Sequence, residues 1–153
     1  PFCARLTPLL YQEVTAGRLQ GQVRLCFRPF PIRTHPYSKE TGLGLVAAMR
    51  LGRFWPWLLH TYADFDEFDV GRLAAGAGTA GMDAAAFDSL MADRQTAELL
   101  VESKKEGLRN QVDATPAFFI NGRRYVGDMD LEEMVDVLQE EAERVAGLAH
   151  LPQ

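Results

Sequence analysis

Apolar residues recur at two different spacings along this chain. After Pro1 they follow helical spacing as far as Gly17, which offers a stop. Proline suits the first position of a helix because its missing N–H would be unpaired there, whereas Pro8 inside the helix predicts a kink. Residues 22–30 (QVRLCFRPF) instead alternate with a period of two, which predicts a strand. Cys26 lies in the middle of that strand and is predicted to pack in the core, as free cysteine usually does.

Residues 39–111 show no strand pattern and predict a block of helices. Breaks are predicted near Gly52, over residues 64–69, over residues 76–83 and near Asp93. Asp69 and Asp83 are predicted N-caps, because a carboxylate there accepts the free N–H groups of a first helical turn. Four aromatic residues are predicted to pack together in the core of this helical block: Phe54, Trp55, Trp57 and Tyr62.

Strand character returns at residues 117–120 and again at 123–126. The intervening Asn121-Gly122 predicts a hairpin, because a type I′ turn needs positive φ at both central residues.

A last helix is predicted after this hairpin. Asp130 is its predicted cap, with Glu133 as the reciprocal partner in a capping box. The predicted apolar stripe of this helix consists of Leu131, Met134, Val135, Leu138 and Val145.

Composition narrows the classes of protein that this chain can represent. The 153 residues carry a net charge of −5, which argues against nucleic-acid binding. No apolar run reaches the roughly 18 residues of a membrane span. Two cysteines are too few for a disulfide-stapled small protein or a four-thiolate zinc site. These numbers favour one ordinary globular domain.

Two features of the sequence suggest a nucleotide site and a metal site, but neither is predicted to be one. Residues 76–81 (GAGTAG) fit the GxGxxG pattern, but a helical pattern and no strand precedes them, so an interhelical loop is predicted instead of a nucleotide site. The histidines, His35, His60 and His150, lack the spacing of metal ligands, and no metal site or cofactor is predicted.

Cys3 differs from Cys26 in its surroundings. It lies in the first turn of the first predicted helix, where unpaired N–H groups and the helix dipole stabilise a thiolate. From the residues alone, a reactive thiol and a structural cysteine are both open. For the Thr115-Pro116 bond, base frequencies alone favour the trans form.

Four separated segments together resemble the DsbA-like branch of the thioredoxin superfamily, which are thiol–disulfide oxidoreductases of bacterial type. They are residues 1–8 (PFCARLTP), residues 27–36 with FRPFP and HP, residues 52–55 (GRFW) and residues 114–123 (ATPAFFINGR). The resemblance implies an α/β (α+β) thioredoxin-like fold formed by residues 1–38 and 112–150, with residues 39–111 as an inserted helical domain. The family's first strand would lie upstream of Pro1, so we expect an N-terminally truncated chain.

The resemblance also implies an active site. Family members carry Cys-Pro-x-Cys at the start of the first helix, and Pro1, Phe2 and Cys3 match its last three positions. The first cysteine, the nucleophile, would precede Pro1, and Cys3 would be the more buried cysteine that resolves a mixed disulfide. The resemblance further implies a cis bond at Thr115-Pro116, which leaves the Thr115 backbone free to pair with a substrate strand.

The function expected on this basis is disulfide exchange with cysteine-containing protein or peptide substrates, without a cofactor. It needs a redox partner protein that the sequence does not identify. Two alternatives stay open: a peptide-binding module without redox activity, and a glutathione-transferase-like isomerase on the same fold. The compartment would be the bacterial periplasm or cell envelope if an export signal lies upstream, and otherwise the cytoplasm.

Overall fold

The computed structural model describes residues 1–63, 65 and 69–149, most of which are helical. The helices are α1 (Phe2–Ala16), α2 (Ser38–Arg50), α3 (Phe54–Ala63), α4 (Leu73–Thr79), α5 (Ala84–Met91), α6 (Arg94–Arg109) and α7 (Leu131–Ala149). A 3-10 turn at Val70–Arg72 leads into α4. The strands are β1 (Phe119–Ile120) and β2 (Arg123–Arg124), which form an antiparallel pair.

The chain divides into two compact units. One consists of Pro1–Phe27 and Ala114–Gln153, and we call it the hairpin unit; the other, Arg28–Asp113, we call the helical unit. The helical unit begins earlier than the proposed insertion at residue 39. The reason is that α6 holds the preceding extended segment: the Ser103 hydroxyl donates to the Pro29 carbonyl at 2.7 Å, and Lys104 donates to the carbonyl of Pro31.

The core of the hairpin unit lies between α1 and α7. Its fully enclosed side chains are Leu6, Leu10, Leu19, Met134 and Val135. Around them pack partly buried apolar residues: Val14, Val23, Leu25, Phe118, Tyr125, Leu131 and Leu138. The predicted stripe of α7 is therefore correct except at its end, because Val145 is 46% exposed. Val145 lies about two helical turns beyond Leu138 and so extends past the core.

The predicted hairpin is confirmed, with shorter strands than expected. Phe119 is opposite Arg124 and Ile120 is opposite Arg123. Asn121 and Gly122 adopt φ values of 48° and 81°, as a type I′ turn requires.

The predicted strand at residues 22–30 is wrong as secondary structure, although its alternation is real. Val23, Leu25 and Phe27 are half-buried while the residues between them are exposed. A strand needs a neighbour to complete its hydrogen-bonded ladder. In residues 1–63, 65 and 69–149 the only strand pairing is between β1 and β2. The segment is therefore extended without being part of a sheet.

The predicted helix breaks are correct in part. Gly52 ends the turn after α2 with φ 69°, and Asp93 separates α5 from α6. Asp83 caps α5 as predicted, accepting from Ala86 N–H at 2.8 Å. Asp69 caps only the 3-10 turn, accepting from Gly71 N–H at 2.9 Å. Most of the break predicted over residues 64–69 lies outside the described residues, as does His150.

The core of the helical unit is built around Trp57. This side chain is fully buried, and its ring centre lies 5.6 Å from that of Phe87. Trp57 is the one fully buried member of the predicted aromatic cluster; Phe54, Trp55 and Tyr62 are half-buried. A Cβ at Gly44 would come within 2.5 Å of the indole, so this glycine permits α2 to lie directly against Trp57.

The loop predicted over residues 76–83 is wrong in its first half, because Gly76 to Thr79 belong to α4. A Cβ at Gly76 would meet the His60 ring at 3.1 Å. Glycine at this position therefore allows α4 and α3 to approach closely, and this helix contact explains part of the glycine-rich pattern.

The predicted N-cap of α7 is confirmed, but the predicted capping box is not. Asp130 accepts from the N–H groups of Glu132 and Glu133 at 3.0 and 3.2 Å. The Glu133 carboxylate does not complete a capping box. It instead accepts from the Tyr125 hydroxyl at 3.1 Å and from Asp128 N–H at 3.3 Å, which ties the loop after β2 to the helix.

Candidate active site

The start of α1 places Cys3 at the second helical residue. Pro1 precedes the helix as its N-cap, one position earlier than predicted, and its carbonyl accepts from Arg5 N–H at 3.1 Å. Leu6 and Leu10, which are 8% and 2% exposed, hold this face of α1 against the core. Cys3 lies one turn before Leu6 and is half-buried, so its sulfur lies at the margin of the core.

The loop that leads into β1 forms the other side of the site. The peptide bond between Thr115 and Pro116 is cis, and both residues are half-buried. The Thr115 side chain lies close enough to the Cys3 sulfur to lower the pKa of that thiol. The hairpin supports this loop, since Tyr125 N–H donates to the Phe118 carbonyl at 2.9 Å, just beyond the strand pair. Cys3 and Thr115, which are far apart in the sequence, therefore lie close together in the structure.

The electrostatics of Cys3 differ from the expectation for a helix start. Burial raises the pKa of the Cys3 thiol above its ordinary value, and the nearby Thr115 side chain opposes that rise only in part. Burial therefore outweighs the expected stabilisation of a thiolate in setting this pKa. A thiolate is harder to form at Cys3 than at a fully solvated cysteine.

The residue before Cys3 has a neighbour that sequence reasoning did not identify. Phe2 is 63% exposed, and the Arg5 guanidinium lies over its ring at 5.1 Å from the centroid. A cation at this distance attracts the ring face. The pair is separated by one helical turn, so i,i+3 spacing was the signal that could have identified it. Phe2 is thus accompanied by a positive charge, although it carries none itself.

The prediction for Cys26 is wrong: its side chain is exposed. It occupies the same side of the extended segment as Arg24 and Arg28, because alternate residues point to opposite faces. The apolar character of cysteine alone did not indicate whether Cys26 would lie on the half-buried or on the exposed face of this segment. Cys26 is therefore an exposed thiol in the same unit as Cys3, and it serves below as an internal control.

Among the described residues, no group of three or more His, Cys, Asp or Glu side chains is arranged to hold a metal ion.

No helix in residues 1–63, 65 and 69–149 combines the length and the apolar character needed to cross a bilayer.

Comparison with known proteins identifies the architecture. The sequence model of a family described as thioredoxin matches residues 1–140. A solved structure of Proteus mirabilis DsbA, a cysteine-to-serine variant with the non-covalently bound peptide PWATCDS, is similar with a TM-score of 0.53 and 17% identity. The match covers 72% of this chain and 66% of that one. The expected thioredoxin-like α/β fold with a helical insertion is confirmed.

Curated relatives at low identity carry a different name. The chain is 27% identical over 135 residues to a Na⁺/H⁺ antiporter NhaA of Salinispora tropica, covering 88% of this chain and 20% of that protein. It is also 27% identical over 142 residues to one of Mycolicibacterium gilvum, covering 91% of this chain and 23% of that protein. The chain thus spans about a fifth of the length of these relatives.

Proposed function

Because this chain belongs to the thioredoxin family, we propose that it exchanges disulfides with cysteine-containing protein or peptide substrates, with Cys3 as a reacting sulfur. The observation that carries the proposal is the contact between Cys3 and Thr115, next to the cis bond at Pro116. A sulfur near an open backbone edge can receive an extended peptide and react with its cysteine. The peptide-bound DsbA structure supports this substrate class.

The proposed role of Cys3 is resolution of a mixed disulfide. In this role the thiolate of a cysteine before Pro1, as in the family's motif, first attacks a substrate disulfide; one substrate sulfur forms the mixed disulfide, and the other leaves with the electron pair and takes up a proton. Cys3 then loses its proton, and its thiolate attacks the sulfur of that preceding cysteine. A new disulfide forms within the motif, the bond to the substrate breaks, and the substrate sulfur leaves with the electron pair and takes up a proton.

The half-buried state of Cys3 supports the resolving role. Burial raises the pKa of this sulfur, which favours its thiol form and reduces its competition for external disulfides. The Thr115 side chain stabilises the negative sulfur when the thiolate forms. The electrons reside in the sulfur pair, so a second redox protein must restore the starting state.

Single-cysteine variants of this chain allow a direct test of peptide exchange. A single-cysteine peptide is supplied as its mixed disulfide with thionitrobenzoate, and release of the coloured thiolate is followed over time. In the Cys26→Ser variant the reacting sulfur is Cys3, and in the Cys3→Ser variant it is Cys26. We expect the rate with Cys3 to saturate as the peptide concentration rises, because the peptide binds before it reacts.

The exposed Cys26 should react in simple proportion to peptide concentration, since no bound state precedes the exchange. A linear dependence for both sulfurs would overturn the proposal that Thr115 and Pro116 receive a peptide strand.

The redox step needs a second measurement. A version with one cysteine added before Pro1 should accelerate insulin reduction by dithiothreitol, and Cys3→Ser in that version should remove most of the acceleration; equal rates would exclude Cys3 from the reaction.

A further inference from the structure

All the lysines of this protein gather in one place. The sequence has 16 Lys and Arg residues, and only three of them, Lys39, Lys104 and Lys105, are lysine. All three line a single groove in the helical unit. Arginine supplies the positive charge everywhere else, so the groove is the one location in the sequence where a compact ammonium group is used. The redox chemistry proposed above involves none of these residues.

The walls of this groove are apolar. It has a volume of about 270 Å³ and lies between α2 and α6, where Leu43, Ala97, Leu100 and Val101 line it. Leu100 is buried, whereas Val101 is 51% exposed, so the groove has a closed bottom and an open edge. The two helices meet closely beneath it, because a Cβ at Gly42 would approach the Leu100 side chain to 3.0 Å.

Lys104 is held in place at the groove. Its ammonium donates to the Pro31 carbonyl and lies 4.6 Å from the centre of the Phe30 ring. An ammonium group has three N–H donors, so this arrangement leaves donors for a ligand. The side chain therefore has little freedom left to lose when an anion binds.

The charges at the rim are only partly compensated. In the part of the chain that the structure describes, no carboxylate pairs with Lys39 or Lys104. Lys105 pairs with Glu102 at 2.8 Å, but both side chains are more than half exposed, and such surface pairs are weak. An apolar surface with uncompensated positive charge at its edge suits a ligand that has an apolar body and an anionic end.

We propose that this groove binds an anionic amphiphile, namely a carboxylate attached to an unbranched hydrocarbon chain. The apolar side chains would cover the hydrocarbon, and Lys39 and Lys104 would receive the carboxylate. The apolar lining and the volume of about 270 Å³ suit the hydrocarbon chain of a medium-chain fatty acid.

Octanoate is the probe that tests the proposal, with 1-octanol as the neutral ligand of equal length. Binding to the full chain is measured by the chemical shifts of α2 and α6 amides during NMR titration. We expect saturable shifts at the groove, with octanoate bound about tenfold more tightly than octanol, since two cations favour the charged end. Equal affinities, or no saturation by either compound, would overturn the proposal.

Variants locate the ligand. Ala97→Phe fills the groove from its exposed edge and should abolish octanoate binding, and Val101→Asp places a repelling charge there and should weaken it at least tenfold. Lys39→Gln should weaken octanoate binding several-fold and leave octanol unchanged. Arg94→Gln removes a positive charge from the same helix outside the groove and should change neither. Circular dichroism identifies a variant that fails to fold, and octanoate binding retained in both folded groove variants would contradict the assigned site.

Discussion

The two units of the molecule bury their apolar residues to different degrees. The helical unit encloses Trp57, Leu58 and Phe87 completely. The hairpin unit encloses fewer large side chains and leaves many of its apolar residues half-buried. Its half-buried margin is where Cys3, Thr115 and Pro116 lie. The proposed exchange requires a substrate to reach the Cys3 sulfur, and an incompletely covered core permits that access.

The largest expected effect is in the helical unit. Trp57→Ala should lower the free energy of unfolding by about 3–5 kcal/mol, because it leaves a large cavity in a closed core. The half-buried Trp55 is the matched control, and Trp55→Ala should cost clearly less. Urea denaturation followed by far-UV circular dichroism gives both values. Similar losses for the two tryptophans would contradict the contrast between buried and half-buried positions.

The second effect tests the core of the hairpin unit. Leu10→Ala should cost about 2–4 kcal/mol, because Leu10 is only 2% exposed, whereas its neighbour Leu9 is 48% exposed and Leu9→Ala should cost about 0.5 kcal/mol or less. Loosening this core should also speed alkylation of Cys3 in a Cys26→Ser background. If both leucine variants alkylate at the parent rate, the position of Cys3 does not depend on the α1 packing.

The third effect concerns the sulfur itself. The nearby Thr115 side chain lowers the pKa of Cys3, so Thr115→Val should raise that pKa further. Less thiolate is then present at pH 7, and we expect the alkylation rate of Cys3 to fall by about threefold to tenfold, given roughly 1 kcal/mol for a hydrogen bond from the hydroxyl to the thiolate. Thr115→Ser keeps the hydroxyl and should stay near the parent rate.

The pH dependence of the alkylation rate distinguishes a change in the pKa of Cys3 from a change in the reagent's access to the sulfur. The alkylation profile of Thr115→Val should move toward higher pH and converge with that of the parent protein in strongly alkaline solution. A uniform decrease at every pH would mean that valine blocks the reagent instead of altering the thiol.

The smallest effect is the pH dependence of the α6 cap. Asp93 accepts from Thr96 N–H at 3.3 Å and pairs with Arg50, which holds the pKa of Asp93 below its usual value. Its stabilising contribution is therefore present above the unfolded pKa near 3.8 and is lost as the pH falls through the lower folded pKa.

Asp93→Asn keeps a capping oxygen but removes the charge. The difference in urea midpoint between Asp93→Asn and the parent protein should be clear at pH 6 and vanish toward pH 2. Asp88→Asn, an exposed change on α5, should show no such trend. A constant difference at all pH values would assign the effect to geometry instead of charge.

Local patterns predicted the elements that depend on neighbouring residues in sequence. The hairpin at Asn121-Gly122 and the cap at Asp83 follow from backbone conformation and first-turn hydrogen bonds within a few residues. The strand at residues 22–30 failed because a ladder requires a distant partner, which no alternation of side chains supplies. The loop predicted for GAGTAG failed in its first half, because Gly76 lies in α4 and permits close packing against His60, whereas Gly81, with φ 76°, does lie in the turn after the helix.

The candidate site shows the same division between local and distant causes. The sequence by itself determined that Cys3 begins a helix and, through family resemblance, that Pro116 has a cis bond. Only the tertiary structure decided that the Thr115 side chain meets the sulfur, that burial outweighs the helix start in setting the thiol's pKa, and that Cys26 is exposed. It also gathered Lys39, Lys104 and Lys105 around one groove. Solvent access and charge environment depend on residues far apart in the chain, and these become neighbours only when the chain has folded.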